Sequence, residues 1–236
     1  MASILIIGGA NGLGGAIART FADAGDHVTV ADEGPAPPGL GGMRFVAVEL
    51  AAVEAVHRAV AAVAQDGLDA LVIAASAMAS APIAEWTPAM WDRAAAINLR
   101  LPFFAVQAAL PWLRASSQAS VTIVSSTAAL RGQPFTHAYQ ATKAGVAGLV
   151  RSLTAELGPE GIRVNAVLGG WLETPLTEGF WATRPPGERA AIDARIPLRR
   201  HGTAGETAAV VHFLASPAAG YLTGAMLPVD GGDTAV

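Results

Sequence analysis

The sequence predicts a single α/β domain with a doubly wound parallel sheet of about seven strands and helices on both faces. Short apolar runs, typical of buried strands, alternate along the chain with longer segments of helical periodicity. Such alternation requires parallel strands joined by right-handed crossovers. The 236 residues contain no internal repeat or low-complexity linker, so one domain over residues 1–236 is expected.

Composition argues against several partners and chemistries. The formal net charge is −4 and only 14% of residues are charged, so no surface for nucleic acid or membrane lipid is expected. Cysteine is absent and the five histidines lack the spacing of metal ligands, so no metal is expected. The first apolar run, Ile4–Ile7, is too short for a secretion signal or a membrane span, which predicts a cytoplasmic protein.

A strand over Ile4–Ile7 and a helix over Ala16–Ala24 are separated by a glycine-rich turn. Gly8, Gly12 and Gly14 let the main chain turn tightly and approach a pyrophosphate, which would bind the N–H groups at the helix start. A tight turn that binds nothing is the alternative, because such a turn is unspecific by itself.

The second strand, His27–Ala31, ends in Asp32, eighteen residues beyond Gly14. This is near the distance expected for the acid that accepts hydrogen bonds from an adenosine ribose. A carboxylate there would repel the 2′-phosphate of NADP, and no Arg or Lys follows to neutralise it. NAD is therefore the predicted cofactor, although Asp32 is open to the simpler interpretation of a solvated turn residue.

The middle of the chain continues the alternation. Further strands are predicted over Phe45–Val48, Leu68–Ala74 and Val121–Val124, with helices over Ala51–Gln65 and Pro88–Leu113, the second of which Pro102 and Pro111 would kink or end. Ala75, Ser76 and Ala77, at the end of a strand, should lie beside the cofactor. Asn98 lies inside the long helix, where asparagine is usually solvated or bonded to its own backbone.

A serine at a strand end precedes a tyrosine and a lysine four residues apart. Ser126 follows the fifth strand, and the helix Tyr139–Leu157 would place Tyr139 and Lys143 on one face. An ammonium nearby would lower the pKa of the phenol and suit it to acid/base catalysis, while Ser126 held the substrate oxygen. The spacing alone is equally typical of a partly exposed helix face.

The last third of the chain contains a predicted lid. Strands over Arg163–Val167 and from Met226 to Gly232 flank a helix over Thr203–Ser216. Residues 169–195 are expected to be irregular, and their aromatic side chains would cover an apolar substrate; these are Trp171, Phe180 and Trp181.

Taken together, these motifs resemble the short-chain dehydrogenase/reductase family from end to end, which implies a Rossmann-type fold. The family motifs match the glycines Gly8, Gly12 and Gly14, the set Asn98, Ser126, Tyr139 and Lys143, and C-terminal segments at 162–167, 174–175, 222–224 and 229–232. Homotetramers or homodimers are also implied, because family members commonly pair through the two long helices.

The resemblance implies a role for each matching residue. Tyr139 would be the acid/base, Ser126 would orient the substrate oxygen, Lys143 would lower the tyrosine pKa and hold the nicotinamide ribose, and Asn98 would seat a water. Thr174 would hold the carboxamide. The predicted cofactor contacts are Gly8, Asn11, Gly12, Leu13, Gly14, Asp32, Glu49, Leu50, Ala75, Tyr139, Lys143, Leu172 and Thr174.

Some positions depart from the family pattern. Ile7 replaces a usual threonine, residues 73–76 read Ile-Ala-Ala-Ser instead of Asn-Asn-Ala-Gly, residues 168–170 lack a usual proline, and Glu49 replaces an aspartate. Three functions therefore remain open. The first is an NAD(H)-dependent oxidoreductase that interconverts a secondary alcohol and a ketone on a small, mostly apolar substrate. The others are a nucleotide-binding sensor or scaffold, and an isomerase or dehydratase using the same tyrosine.

Overall fold

The computed structural model describes residues 1–182, 184–185 and 187–236, with the main chain alone at Asp66. Thr183 and Pro186, which belong to the predicted lid, lie outside the described residues. The strands in chain order are β1 (Ser3–Ile7), β2 (His27–Asp32), β3 (Arg44–Ala47), β4 (Ala70–Ile73), β5 (Ser120–Ser126), β6 (Arg163–Gly169), β7 (Leu172–Glu173), β8 (Gly202–Thr203) and β9 (Met226–Val229).

Seven of these strands form one parallel sheet in the order β3-β2-β1-β4-β5-β6-β9. The chain moves outward from β1 to β3 and then returns to the other side of β1, so the order reverses between β1 and β4. Ligands of open α/β sheets bind at such a switch point, beyond the carboxyl ends of the strands. The predicted doubly wound fold is confirmed.

The helices cover both faces of the sheet. They are α1 (Gly12–Asp23), α2 (Val53–Val63), α3 (Pro88–Ala95), α4 (Leu101–Leu113), α5 (His137–Leu157), α6 (Pro175–Trp181), α7 (Glu188–Arg195) and α8 (Ala204–Ala215). Successive side chains of a strand point to opposite faces. Accordingly, Leu5 and Ile7 of β1 pack with α2, α4 and α5, whereas Ile4 and Ile6 pack with α1 and α8.

The helix predicted over Pro88–Leu113 is interrupted. A π-helical turn over Ala96–Arg100 separates α3 from α4. Pro102 explains the interruption, because in a regular α-helix its ring would clash with the carbonyl of Asn98, four residues earlier. The wider π-turn removes that clash.

The same stretch of 26 residues contains an 18-residue window with a mean hydropathy of 1.2, and by length and composition alone it could cross a membrane. Half of its most apolar window is buried inside the protein. Ile97, Leu101 and Ala105 pack in the core against the sheet. The stretch therefore behaves as the core helix of an α/β domain.

The lid predicted as irregular over 169–195 contains β7, α6 and α7 instead. Thr174 caps α6, because its hydroxyl accepts a hydrogen bond from the N–H of Thr177 while the Thr177 hydroxyl accepts one from the N–H of Thr174. Pro175 occupies the first turn, where an N–H would have no partner. Thr174 and Pro175 therefore mark the start of a helix.

Apolar packing holds the centre of the sheet where the family carries polar side chains. Ile7 is the register partner of Ile73, which also pairs with Ile123, and all three are buried. The N–H groups of Ala74 and Ala75 both donate to the carbonyl of Ile7, at 2.8 and 3.0 Å. The two departures at positions 7 and 73 therefore compensate each other.

Candidate active site

Two cavities open beyond the carboxyl ends of the strands and share a wall. The first, about 320 Å³, is lined by the glycine turn, the end of β2 and the start of α6, and is called here the glycine-turn cavity. The second, about 340 Å³, is lined by the segment after β5 and by α6 and α7, and is called the aromatic cavity. Ser126 and Tyr139 line both, so these side chains lie where the cavities meet.

The phenol of Tyr139 has two serine hydroxyls as neighbours. Hydrogen bonds with Ser126 and Ser76 favour the phenolate, but burial outweighs them and raises the pKa of Tyr139. This direction is opposite to the lowering predicted from Lys143, because desolvation is the dominant effect. Ser76, at a position where the family usually has glycine, was expected beside the cofactor, but its interaction with the phenol of Tyr139 was not predicted.

Lys143 lies behind the tyrosine and is only 2% exposed. Its Nζ donates to the carbonyl oxygen of Val124 at 2.9 Å and lies 5.7 Å from the centroid of the Tyr139 ring. Both side chains share one face of α5, as their spacing predicts. Burial lowers the pKa of Lys143 to about 8, because the interior disfavours the charged amine.

Asn98 is buried in the π-turn and fixes the segment after β4. Its Oδ1 accepts from the N–H of Ala77 and its Nδ2 donates to the carbonyl of Ala77, both at 2.8 Å. Nδ2 also lies 3.1 Å from the hydroxyl of Thr142, next to Lys143 in α5. The amide is therefore neither solvated nor bonded to its own helix, and the water that it would seat stays a prediction.

The glycine turn packs too closely for side chains at two positions. A Cβ on Gly8, which has a φ of +85°, would collide with the main chain of Ala75, and a Cβ on Gly14 would collide with the carbonyl of Gly8. The first N–H groups of α1 have no intrahelical partner, and the side chain of Asn11 makes no capping hydrogen bond. This turn fits a phosphate group at the positive end of the helix.

Asp32 supports the glycine turn from β2. Its Oδ2 accepts from the N–H of Ala10 and its Oδ1 from the N–H of Glu33, each at 2.8 Å. The carboxylate also lines the glycine-turn cavity. Because each carboxylate oxygen can accept a second hydrogen bond, Asp32 retains the capacity to bind ribose hydroxyls.

Nearly all predicted cofactor contacts line the glycine-turn cavity. These are Gly8, Asn11, Gly12, Leu13, Gly14, Asp32, Leu50, Ala75, Tyr139, Lys143, Leu172 and Thr174. Glu49 is the exception, because it is exposed and borders a neighbouring depression with Glu33 and Gly34. Its neighbour Leu50 turns into the core, which directs Glu49 outward.

An ion pair on the wall of the glycine-turn cavity was missed by sequence reasoning. Glu33 Oε2 lies 2.6 Å from Arg93 Nη2, and Glu33 Oε1 accepts from the N–H of Leu50 at 3.3 Å. Both charged residues line the cavity. Arg93 belongs to α3, sixty residues from Glu33, so no local pattern could have placed it there.

Aromatic side chains of the predicted lid form part of the second cavity. Trp171 and Phe180 line it, with ring centroids 5.5 Å apart, while Trp181 packs on Trp171 at 4.9 Å. Charged side chains that the sequence did not single out also line this cavity: Arg131, Arg184, Glu188 and Arg195. Within residues 1–182, 184–185 and 187–236, no group of three or more potential ligand side chains is placed to hold a metal ion.

A glycine turn at the switch point of a doubly wound sheet, next to a half-buried tyrosine and a buried lysine, is the arrangement of a nicotinamide-dependent oxidoreductase. The chain belongs to the short-chain dehydrogenase/reductase family. The family model described as enoyl-(acyl carrier protein) reductase matches residues 8–234.

Individual relatives agree with this assignment. The cis-4-hydroxycyclohexanecarboxylate dehydrogenase of Sinomonas cyclohexanicum is 36% identical over 98% of this chain and 96% of its own length. The levodione reductase of Leifsonia aquatica is 32% identical over 98% and 94%. A short-chain dehydrogenase/reductase oxidoreductase structure from Burkholderia thailandensis superposes with a TM-score of 0.90, at 34% identity over 99% of this chain and 92% of that one.

Proposed function

We propose that the protein is an NAD(H)-dependent oxidoreductase that interconverts a secondary alcohol and a ketone on a small, mostly apolar substrate. The position of Ser126 and Tyr139 on the shared wall of both cavities carries this proposal. A substrate oxygen in the aromatic cavity can reach both hydroxyls while the glycine-turn cavity holds the cofactor. The Sinomonas relative is named for a hydroxyl on a cyclohexane ring, which supports the substrate class.

Some residues of the chain would bind the cofactor, and others would transfer the proton. The glycine turn would hold the pyrophosphate, Asp32 the adenosine ribose, Lys143 the nicotinamide ribose and Thr174 the carboxamide. The carboxylates of Asp32 and Glu33 on one wall favour NAD, because they would repel a 2′-phosphate.

Tyr139 would exchange the proton of the reacting oxygen. When bound, the cofactor supplies a hydride to the carbonyl carbon of a ketone or takes one from the carbon of an alcohol. Tyr139 gives a proton to the substrate oxygen in reduction and takes it back in oxidation, while Ser126 holds that oxygen. The raised pKa of Tyr139 keeps the phenol protonated at neutral pH, which is the form that gives the proton in reduction, whereas oxidation starts from the phenolate.

A Tyr139→Phe variant tests the proposal. With a panel of ketones and NADH absorbance as the readout, kcat should fall by about 100- to 10,000-fold, because the phenyl ring has no proton to give. NADH binding, followed by fluorescence, should persist. Tyr221→Phe is the matched control, since Tyr221 is fully exposed. If the Tyr139→Phe protein were as active as the parent, Tyr139 would not be the acid/base of the reaction.

The same measurements separate the alternatives. A parent protein that binds NAD tightly but turns over no ketone or alcohol would be a sensor or scaffold. Conversion of a substrate without net change in NADH would indicate an isomerase or dehydratase.

We also propose a cytoplasmic location and a homodimer or homotetramer that pairs through the stretch Pro88–Leu113, which contains α3 and α4, and through α5. Trp91 of α3 and Phe103 of α4 are large apolar side chains exposed by 47% and 41%, which supports a covered face there. Light scattering at micromolar concentration measures the assembly, and a strictly monomeric mass would contradict it.

A further inference from the structure

The aromatic cavity has an apolar body but a charged far wall. Met78, Leu176 and Phe180 are among the apolar residues that line it, next to Tyr139. Among the described residues, the charged side chains of the lining are Arg131, Arg184, Arg195 and Glu188. A substrate without charge could accept hydrogen bonds from these guanidinium groups but would not compensate their charge.

Arg131 and Arg195 share a single buried carboxylate. The side chain of Asp233 is completely buried, and it pairs with Arg131 Nη2 through Oδ2 and with Arg195 Nε through Oδ1, the second at 3.2 Å. Arg131 Nη1 also donates to the carbonyl of Asp233 at 2.9 Å. Asp233 thus serves two guanidinium groups, and neither it nor Asp230, whose charge also acts on Arg131, lines the cavity, so the lining itself shows the arginines.

The pKa of Arg131 reflects this crowding. Burial lowers it, and the neighbouring charge of Arg195 lowers it further, while Asp230 opposes the change. The two guanidinium groups therefore repel each other in a partly desolvated place. An anion between them would relieve that repulsion.

Arg184 adds a third guanidinium, held by aromatic rings. Its Cζ lies 4.4 Å from the ring centroid of Phe180 and 5.2 Å from that of Phe135. Its Nε is buried and has no hydrogen-bond partner within the described parts of the chain. Such a donor is costly to leave unpaired, and a ligand acceptor would satisfy it.

We propose that the substrate carries a carboxylate, which binds the arginine wall of the aromatic cavity while its ketone or alcohol group faces Tyr139. The described lining presents three guanidinium groups and a single carboxylate, that of Glu188, while Asp233 and Asp230 do not line the cavity, so the wall that faces the substrate suits an anion. A guanidinium presents paired N–H donors that fit the two oxygens of a carboxylate. This inference rests on the proposed function, because it names the substrate class of the same site.

A matched pair of ketones tests the charge alone. The pair is 4-oxocyclohexanecarboxylate and its methyl ester, which differ in charge but share the ring and the ketone. The kcat/KM of the parent protein should favour the acid by about tenfold or more. Arg195→Gln should raise KM for the acid by about tenfold and leave the ester nearly unchanged, because the lost contact is made in both the ground state and the transition state.

A further variant should change KM in the opposite direction, and another serves as a control. Glu188→Gln removes the negative charge of the wall, so it should lower KM for the acid and leave the ester unchanged. Arg58→Gln is the charge control, because Arg58 is exposed on α2 and does not line the cavity. Circular dichroism checks that each variant is folded.

The outcomes distinguish this inference from the proposed function. An ester reduced as well as the acid, with both changed alike by Arg195→Gln, would overturn the carboxylate and leave the oxidoreductase intact. If neither ketone is reduced, calorimetry with cyclohexanecarboxylate and cyclohexanecarboxamide still decides. Binding of the acid but not the amide, lost in Arg195→Gln, supports the arginine wall, and equal or absent binding overturns it.

Discussion

Replacing Lys143 by methionine should make the protein more stable at neutral pH while it impairs the site. Lys143 is the only lysine in the chain, and its ammonium is buried. Among the described residues, Nζ makes one hydrogen bond, to the carbonyl of Val124. A methionine has a similar length and no charge to desolvate. Comparing the Lys143→Met protein with the parent therefore measures how much the buried charge lowers the free energy of unfolding.

The magnitude follows from the pKa. Its fall from the ordinary value of 10.5 to about 8 means that burial disfavours the charged amine by about 3 kcal/mol. The lost hydrogen bond to Val124 offsets about 1 kcal/mol of this. At pH 7 the variant should thus exceed the parent by about 2 kcal/mol in unfolding free energy.

The advantage should disappear at high pH. Between about pH 8 and 10.5 the unfolded chain still binds a proton at Lys143 that the folded protein has lost, so the stability of the parent rises with pH in that window. From pH 7 to pH 9.5 the gain is about 2 kcal/mol, which brings parent and variant to nearly equal stability.

Two measurements check this prediction. Denaturant unfolding of parent and Lys143→Met at pH 7 and pH 9.5, at one protein concentration, gives the difference in free energy. Arg151→Met is the control, because Arg151 is exposed on the same helix and should show no such pH dependence. Since the chain has one lysine, isotope-labelled lysine gives a single side-chain NMR signal whose midpoint reports its pKa.

A stability difference that stays within about 0.5 kcal/mol from pH 7 to pH 9.5 would refute the reasoning, as this is well below the expected change. An NMR midpoint at the ordinary lysine value would do the same. Either result would mean that the amine is solvated in the folded protein and does not lie behind the Tyr139 ring.

Other variants test contacts that the sequence did not predict. Ser76→Ala removes one hydroxyl from the phenol and should raise the pKa of Tyr139 further, as measured by ultraviolet titration in a Tyr221→Phe background; an unchanged midpoint would deny the hydrogen bond. Glu33→Gln leaves Arg93 unpaired, so the NADP(H) to NAD(H) ratio of kcat/KM should rise about tenfold in steady-state kinetics. A constant ratio would show that the pair does not contact the cofactor.

Local patterns were enough to predict the sheet and the glycine turn. The apolar run in β1 and the acid after β2 depend on neighbours in sequence, and parallel pairing then fixes which strand ends meet. The pairing of Tyr139 with Lys143 could be predicted for the same reason, because residues four apart on a helix share a face. The direction in which the pKa of Tyr139 shifts could not be predicted from the sequence, since burial is a property of the folded molecule.

The charged walls of the two cavities could not be predicted, because they join distant parts of the chain. Arg93 meets Glu33 across sixty residues, and Arg131 meets Asp233 across 102. The sequence has no Arg or Lys in the glycine turn or just after Asp32, yet Arg93 of α3 lines the same cavity as Asp32. The aromatic residues of the lid were visible in the sequence, but the arginines beside them were not distinguishable from surface charge.

The altered residues at 73–76 motivated the hypothesis of a sensor without turnover, and the structure weakens that motivation. Packing of Ile73 against Ile7 fills the sheet centre, while the N–H groups of Ala74 and Ala75 remain bonded to the carbonyl of Ile7. Asn98 holds Ala77 by two hydrogen bonds. The main chain is thus fixed on both sides of position 76, so the loss of the usual side chains need not displace any group that contacts the phenol. A sensor would then require a reason other than this segment, and catalysis remains the simpler account of the site.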